Sequence, residues 1–237
     1  MDPRLSPLFE AASRPYLAAG KHAWLFARGK LRHDPVYFTL LRLGLLPQHG
    51  SLLDLGCGQG MLLSLLRAAK QHAGRWPDDW PPPPSLALRG IDLSAERVRT
   101  ARRVLGTDAQ VDRRDLRELD VERCSVIALV DVLFYLGEAD QARLMDKAAA
   151  ALEPGGLLLM READAAAGIS FAITKWSERL ACALRGRPGQ RLHYRSAAQW
   201  MAELSARGLH VEAVPMSAGT PFANILFVAR KVSARPA

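Results

Sequence analysis

LLDLGCGQG, residues 52–60, reads as the end of a buried strand running into a glycine turn. The apolar run SLLDL (51–55) carries Asp54 near its end; Gly56, Gly58 and Gly60 follow at every second position, and MLLSLLRAAK then has helical spacing. Glycines at such a turn let the backbone bend tightly and approach a ligand with no Cβ in the way. A dinucleotide-binding turn, G-x-G-x-x-G, places its third glycine one position later and sets pyrophosphate on the helix N-terminus. An acid beside the turn repels pyrophosphate and suits a ligand that carries positive charge.

Outward from this turn the chain alternates strand and helix. LALRGID (86–92) is a second strand, and SAERVRTARRVLG is a helix with Ser94 as N-cap and Gly106 just past its end. AQVD (109–112) and SVIALV (125–130) are further strands, and helix ADQARLMDKAAAALE leads to a turn at Pro154, Gly155 and Gly156 before strand GLLLMR. Such alternation implies βαβ units and a mostly parallel sheet. HVEAVPM and NILFVARK, joined by SAGTPFA, form an antiparallel hairpin that closes the sheet with a reversed strand. The predicted fold is α/β, a Rossmann-like seven-stranded sheet with helices on both faces and an N-terminal helical lid.

Residues 1–47 form that lid or acceptor region, helical over 5–46 with restarts at Pro15 and Pro35; residues 48–237 form the main domain. QHAGRWPDDWPPPPS (71–85) is a Pro-rich surface insertion. A helical cover occupies 165–194, where Ile169, Ile173, Trp176, Leu180 and Leu184 share one helix face. Ser196 and Gln199 make a capping box for the next helix.

The 237 residues suit one large domain, and 49% hydrophobic with 24% charged residues is ordinary globular composition. Thirty-two basic against 24 acidic residues leave a net charge of +8, which favours acidic partners. Cys57, Cys124 and Cys182 are too scattered for a disulfide framework or a zinc site, which fits a reducing cytoplasm, and no metal site is expected. The opening MDPRLSPLFEAASRP has no apolar signal core, and no run is long enough to span a membrane.

The glycine stretch resembles motif I of the class I S-adenosylmethionine-dependent methyltransferases, commonly D/E-x-G-x-G-x-G. The resemblance extends in order through Asp92 at the second strand end, Asp115 and Leu116 in RRDLREL, DVLFYL (131–136) and ALEPGGLLLM. It implies S-adenosyl-L-methionine as cofactor, held by Asp54, Gly56, Cys57, Gly58, Gly60, Asp92, Leu93, Asp115, Leu116 and Asp131. Asp92 would accept from the ribose hydroxyls, Asp115 would face the adenine amino group, and Leu116 would supply a backbone N–H. Singly, Asp54 can be a helix cap, Asp92 a turn residue and Asp115 a solvated charge. Their common position at strand ends, where open α/β sheets bind ligands, favours the site. Cys57 has no base nearby in sequence and reads as a small filler.

Methyl transfer from a sulfonium is an in-line displacement, so a general base is needed only when the acceptor must lose a proton. DVLFYL lacks the Asn/Asp-Pro-Pro-Tyr/Phe motif of base-nitrogen methyltransferases, so nucleic acid ranks behind a small molecule. His193 and Tyr194 are the candidates to contact or deprotonate a hydroxyl, with packing and capping near Ser196 as the other use for both. FARGKLRHDP, LLDLGCGQG, ALEPGGLLLM and GTPFANILFVAR together resemble methyltransferases of bacterial aryl polyene and xanthomonadin-type pigment loci. That implies a phenolic aryl acceptor, free or tethered to an acidic acyl carrier protein that Arg179, Arg185 and Arg187 would meet. Three alternatives stay open: an RNA methyltransferase using its basic surface, a non-catalytic binding partner of the same fold, and peripheral membrane contact through the 168–185 helix.

Overall fold

The computed structural model describes residues 5–232, the side chain of Arg75 excepted. The outermost residues of both assigned regions, 1–4 and 233–237, lie outside the described residues. Seven strands form one sheet in the order β3-β2-β1-β4-β5-β7-β6: β1 (Ser51–Leu55), β2 (Ala87–Asp92), β3 (Ala109–Arg113), β4 (Cys124–Val130), β5 (Leu152–Ala163), β6 (Leu209–Pro215) and β7 (Asn224–Lys231). β1 pairs in parallel with β2 and β4, and β2 with β3; β7 runs antiparallel to both β5 and β6. The expected mostly parallel sheet with a reversed C-terminal strand is therefore present.

Packing divides the chain into two units, Met1–Leu119 with Cys124–Ala128, and Asp120–Arg123 with Leu129–Ala237. In the first unit, Leu52, Leu53 and Leu55 of β1 and Val126 to Ala128 of β4 are buried with Leu62, Leu63, Leu65 and Leu66 of α4 (Met61–Gln71). Ser94 caps α5 (Ala95–Leu105) by accepting from the Arg97 N–H, a contact that stabilises the helix by about 1 kcal/mol.

The N-terminal segment breaks at three points. α1 (Ser6–Ser13) is followed by a 3-10 turn over Arg14–Ala19, then α2 (Lys21–His33) and α3 (Pro35–Arg42). Pro15 and Pro35 open their elements as expected; Gly20, at φ +109°, adds the break between them. α1 packs on α4, where the Ser64 hydroxyl donates to the Ala12 carbonyl at 2.8 Å. The Pro-rich insertion is irregular after a short 3-10 turn, Ala73–Arg75. Trp80 meets Trp76 and Phe38 edge-on, and the Trp76 indole donates to the Pro81 carbonyl.

In the second unit, α6 (Glu138–Ala151) ends where Lys231 Nζ donates to the carbonyls of Ala149, Ala150 and Leu152, groups that a helix end leaves unpaired. β5 starts earlier than its sequence suggests. It includes the exposed Pro154 and Gly155, and Gly155 at φ +75° lets them continue into the buried part. α7 (Gly168–Leu184) and α8 (Ala197–Ser205) follow, the latter with the full Ser196–Gln199 capping box. Among the described residues no helix is long and apolar enough to cross a membrane.

Candidate active site

The parallel strands of the first unit deliver Asp54, the glycine turn, Asp92 and the segment after β3 to their C-terminal ends. β1 and β2 pair in register through Leu55↔Ile91, and the Gly56 and Cys57 N–H groups both donate to the Ile91 carbonyl. The Gly58 N–H donates to Asp92 Oδ2 at 3.0 Å, while Asp92 Oδ1 accepts the Ser94 N–H at 2.8 Å. Asp92 thus ties the turn to the start of α5, with Arg97 3.9 Å away as its cationic neighbour. A carboxylate offers about four lone-pair directions, so two remain for other donors.

Gly60, at φ +77°, starts α4 so close to α5 that a Cβ there would lie 2.9 Å from Leu105 Cδ1. Gly58, at φ +57°, faces open space, with no atom within 4 Å of a notional Cβ. Gly90 of β2 leaves room that Cys57 fills: a Cβ there would sit 2.8 Å from its Sγ. Burial, followed by the charge of Asp54, pushes the Cys57 thiol well up, so it is a packing group and not a nucleophile. Tyr16 braces the turn from the N-terminal segment, its hydroxyl donating to the Gln59 carbonyl at 2.9 Å.

Asp54 is 4% exposed and Asp92 6%. Loss of water, and then the neighbouring charge of Asp92, pushes the Asp54 carboxyl up to about 7. Asp115 is held below its ordinary value, chiefly by the Arg117 side chain, whose Nε donates to both carboxylate oxygens at 3.0 Å. Leu116 is buried beside it, and Leu93 is exposed with its carbonyl accepting from Arg113 Nε. Nine of the ten expected cofactor residues therefore gather in this unit, at the ends of β1, β2 and β3.

The tenth, Asp131, belongs to the second unit. It is the one non-glycine residue at positive φ, +57°, among the described residues. Its carboxylate accepts from Arg161 Nε at 2.8 Å and from Arg161 Nη2, and its N–H donates to the Arg161 carbonyl. Arg161 is buried, so this pair holds the strained residue in place. Glu162 is buried next to it; burial and then the Asp131 charge push its carboxyl well up, and its Oε1 accepts the Leu133 N–H.

The DVLFYL segment turns as a 3-10 helix over Leu133–Tyr135. The buried Gln141 side chain braces it, donating to the carbonyls of Leu133, Leu136 and His193 and accepting from Arg195 Nε. The His193 N–H donates to the Phe134 carbonyl at 2.8 Å, which sets the Tyr194 ring on Phe134 with centroids 5.1 Å apart; Phe171 meets the same ring edge-on, also at 5.1 Å. The Tyr194 hydroxyl is buried and has no hydrogen-bond partner among the described residues. Burial, and then Glu178, raise its pKa, so it stays protonated as a donor.

The sequence reading missed Tyr16, Arg161 and Gln141. Tyr16 has no local signature. Arg161 had one, because a cation at the end of the apolar run LLLM must find a partner if the strand is buried. Among the described residues no group of three or more His, Cys, Asp or Glu side chains could hold a metal ion.

This fold, with its glycine turn and acidic strand ends, defines the class I S-adenosylmethionine-dependent methyltransferases. The chain belongs to the family described as methyltransferase domain, which matches residues 27–214, and S-adenosylmethionine is its cofactor. Carboxy-S-adenosyl-L-methionine synthase of Chromohalobacter salexigens is 35% identical over 114 residues, covering 46% of this chain and 38% of that protein. The protein of the same name from Aliivibrio fischeri is 29% identical over 120 residues, covering 48% and 45%. The chain thus spans less than half the length of these curated relatives. An O-methyltransferase family protein from Burkholderia thailandensis shares the fold at a TM-score of 0.63 and 18% identity, over 98% of this chain and 68% of that one. Magnesium protoporphyrin IX methyltransferase from Synechocystis PCC 6803 with bound SAH gives 0.55 and 18%, over 92% and 84%.

Proposed function

We propose that the chain methylates a small aryl acceptor, at a phenolic oxygen or the ring carbon beside it. The observation that carries this reading is the buried, partnerless Tyr194 hydroxyl set among Phe134 and Phe171. An unpaired buried donor costs about 1–3 kcal/mol, a cost that a site built to receive an acceptor oxygen recovers on binding. The aromatic rings offer stacking and edge contacts to an aryl group. Tyr194 then orients the acceptor as a hydrogen-bond donor, and His193, its neighbour in the chain, is the group proposed to take the phenolic proton.

In the cofactor cradle, the two unused lone-pair directions of Asp92 suit ribose hydroxyls, and the open side of Gly58 leaves room for a ligand. Asp54, close to half-ionised at neutral pH, suits a cationic ligand that draws it into the charged form. Asp115 and the Leu116 N–H are assigned to the adenine. When bound, S-adenosylmethionine supplies an electrophilic methyl group on a sulfonium. A carrier-tethered acceptor and a place in aryl pigment synthesis belong to this proposal on the sequence resemblance alone.

The test is turnover on a panel of phenolic acids. Tyr194→Phe should keep S-adenosylhomocysteine affinity, raise thermal stability by about 1–3 kcal/mol as the unpaired hydroxyl is lost, and lower kcat/KM for phenols roughly tenfold or more. Unchanged kcat/KM removes Tyr194 from the acceptor site. The names of the curated relatives favour one second reading, modification of the cofactor itself. Mass analysis with a carboxyl donor also present separates the two, since that reaction would put the donor's carboxyl group in place of a hydrogen on S-adenosylmethionine and release no S-adenosylhomocysteine.

A further inference from the structure

α7 has its polarity reversed. Its inner face carries the hydrogen-bonding groups: Thr174 Oγ1 donates to the Ser170 carbonyl and accepts the Ala223 N–H, and Glu178 accepts from Tyr135 and from Arg185 at 3.3 Å. Phe171 and the buried Cys182 complete that face. The aliphatic row faces solvent, with Ile169 82% exposed, Trp176 67% and Leu184 81%, and Ile173 and Leu180 exposed between them. A helix that is held by its polar side and presents about 22 Å of bulky apolar side chains outward has a surface built to be covered.

The charge around this row indicates what covers it. Residues 165–202 contain six basic residues and a single acid, Glu178, which faces inward. Arg179 lies exposed at the edge of the row, and Arg187 and Arg191 follow the helix, also exposed. A second copy of the chain would set these cations against each other. A protein partner would ordinarily find side chains to hydrogen-bond, yet along the row the described residues offer only the Trp176 indole, the edge Arg179 and the Ser177 hydroxyl, which already donates to the Thr174 carbonyl. A bilayer surface needs no such groups: acyl chains accept the aliphatic row, tryptophan favours the headgroup boundary, and anionic headgroups match the cations.

We infer that α7 docks the protein on an anionic membrane surface, with Ile169, Ile173, Trp176, Leu180 and Leu184 entering the headgroup–acyl boundary. Flotation of the full chain with phosphatidylcholine vesicles, with and without phosphatidylglycerol, tests this. The chain should float with the anionic vesicles, far less with the neutral ones, and less as salt rises. Trp176→Ser with Leu180→Ser should lower partitioning roughly tenfold or more, and Arg179→Ala about fivefold. Both variants should keep the parent's melting temperature and S-adenosylhomocysteine affinity.

Any of four results overturns the inference. The first is no flotation at low salt, and the second is equal flotation of parent and double variant. The third is a parent dimer that the double variant dissolves. The fourth is binding of an acidic acyl carrier protein, lost in the double variant, in a chain that ignores vesicles.

Discussion

Asp54→Asn separates what the buried carboxyl costs the fold from what it does for a ligand. In the folded protein Asp54 titrates near 7, raised first by burial and then by Asp92, against an ordinary 3.8. Between those values the folded state holds a proton that the unfolded chain has released. This contribution to stability is therefore complete below about pH 4 and is lost as pH rises to about 7. Its full size is roughly 4 kcal/mol. Asparagine cannot ionise and removes the loss.

Urea denaturation of ligand-free parent and variant should show the variant gaining on the parent as pH rises, and ahead by about 2–4 kcal/mol near pH 8. Titrating groups that do not feel the Asp54 charge cancel in the difference. The same variant should bind S-adenosylmethionine more weakly, because it lacks the negative charge that a sulfonium and an ammonium favour. With the parent near pH 6, binding should release a proton, seen as heat that varies with the buffer's ionisation enthalpy. A stability difference that is flat with pH, or a variant less stable than the parent at pH 8, would refute the reasoning.

Two of the three motif glycines, Gly58 and Gly60, should differ. Gly60→Ala forces φ +77° on alanine and sets its Cβ 2.9 Å from Leu105 Cδ1 and 3.2 Å from Ala101 Cβ. It should lower stability by about 2–4 kcal/mol in thermal melts, whereas Gly58→Ala, strained only by its φ, should lower it by about 1. Arg161→Met removes the guanidinium that holds the Asp131 carboxylate and should cost about 2–3 kcal/mol in denaturant titration. Adding Asp131→Asn to that variant should recover much of the loss.

The strands themselves, though not their order in the sheet, were legible because strand ends carry their own punctuation: the glycine turn after Leu55, the Ser94 cap after Asp92 and the small turn before Asn224. β5 was misjudged at its start because Pro154 and Gly155 usually end a strand, and only Gly155 at positive φ lets this one continue. The three carboxylates could be named from the family resemblance and their places at strand ends, but not the ties that fix them. The bond from the Gly58 N–H to Asp92 joins residues 34 apart in sequence, and that from Tyr16 to Gln59 joins residues 43 apart. For α7, periodicity told which residues share a face but not which way the face points. That depended on Tyr135 and Ala223 supplying partners for Glu178 and Thr174. Tyr194 was a candidate by position in the chain; the isolation of its hydroxyl appears only once Phe134 and Phe171 surround the ring.

Titration calorimetry of S-adenosylhomocysteine into the ligand-free parent and into Asp92→Ala tests the central claim most directly. The parent should bind at one site, and the variant, shown to be folded by its melting transition, should bind at least about tenfold more weakly, since it lacks a charged acceptor for two hydroxyls. A parent that gives no heat, or a folded variant that binds as tightly as the parent, would contradict a cofactor seated on the ends of β1, β2 and β3.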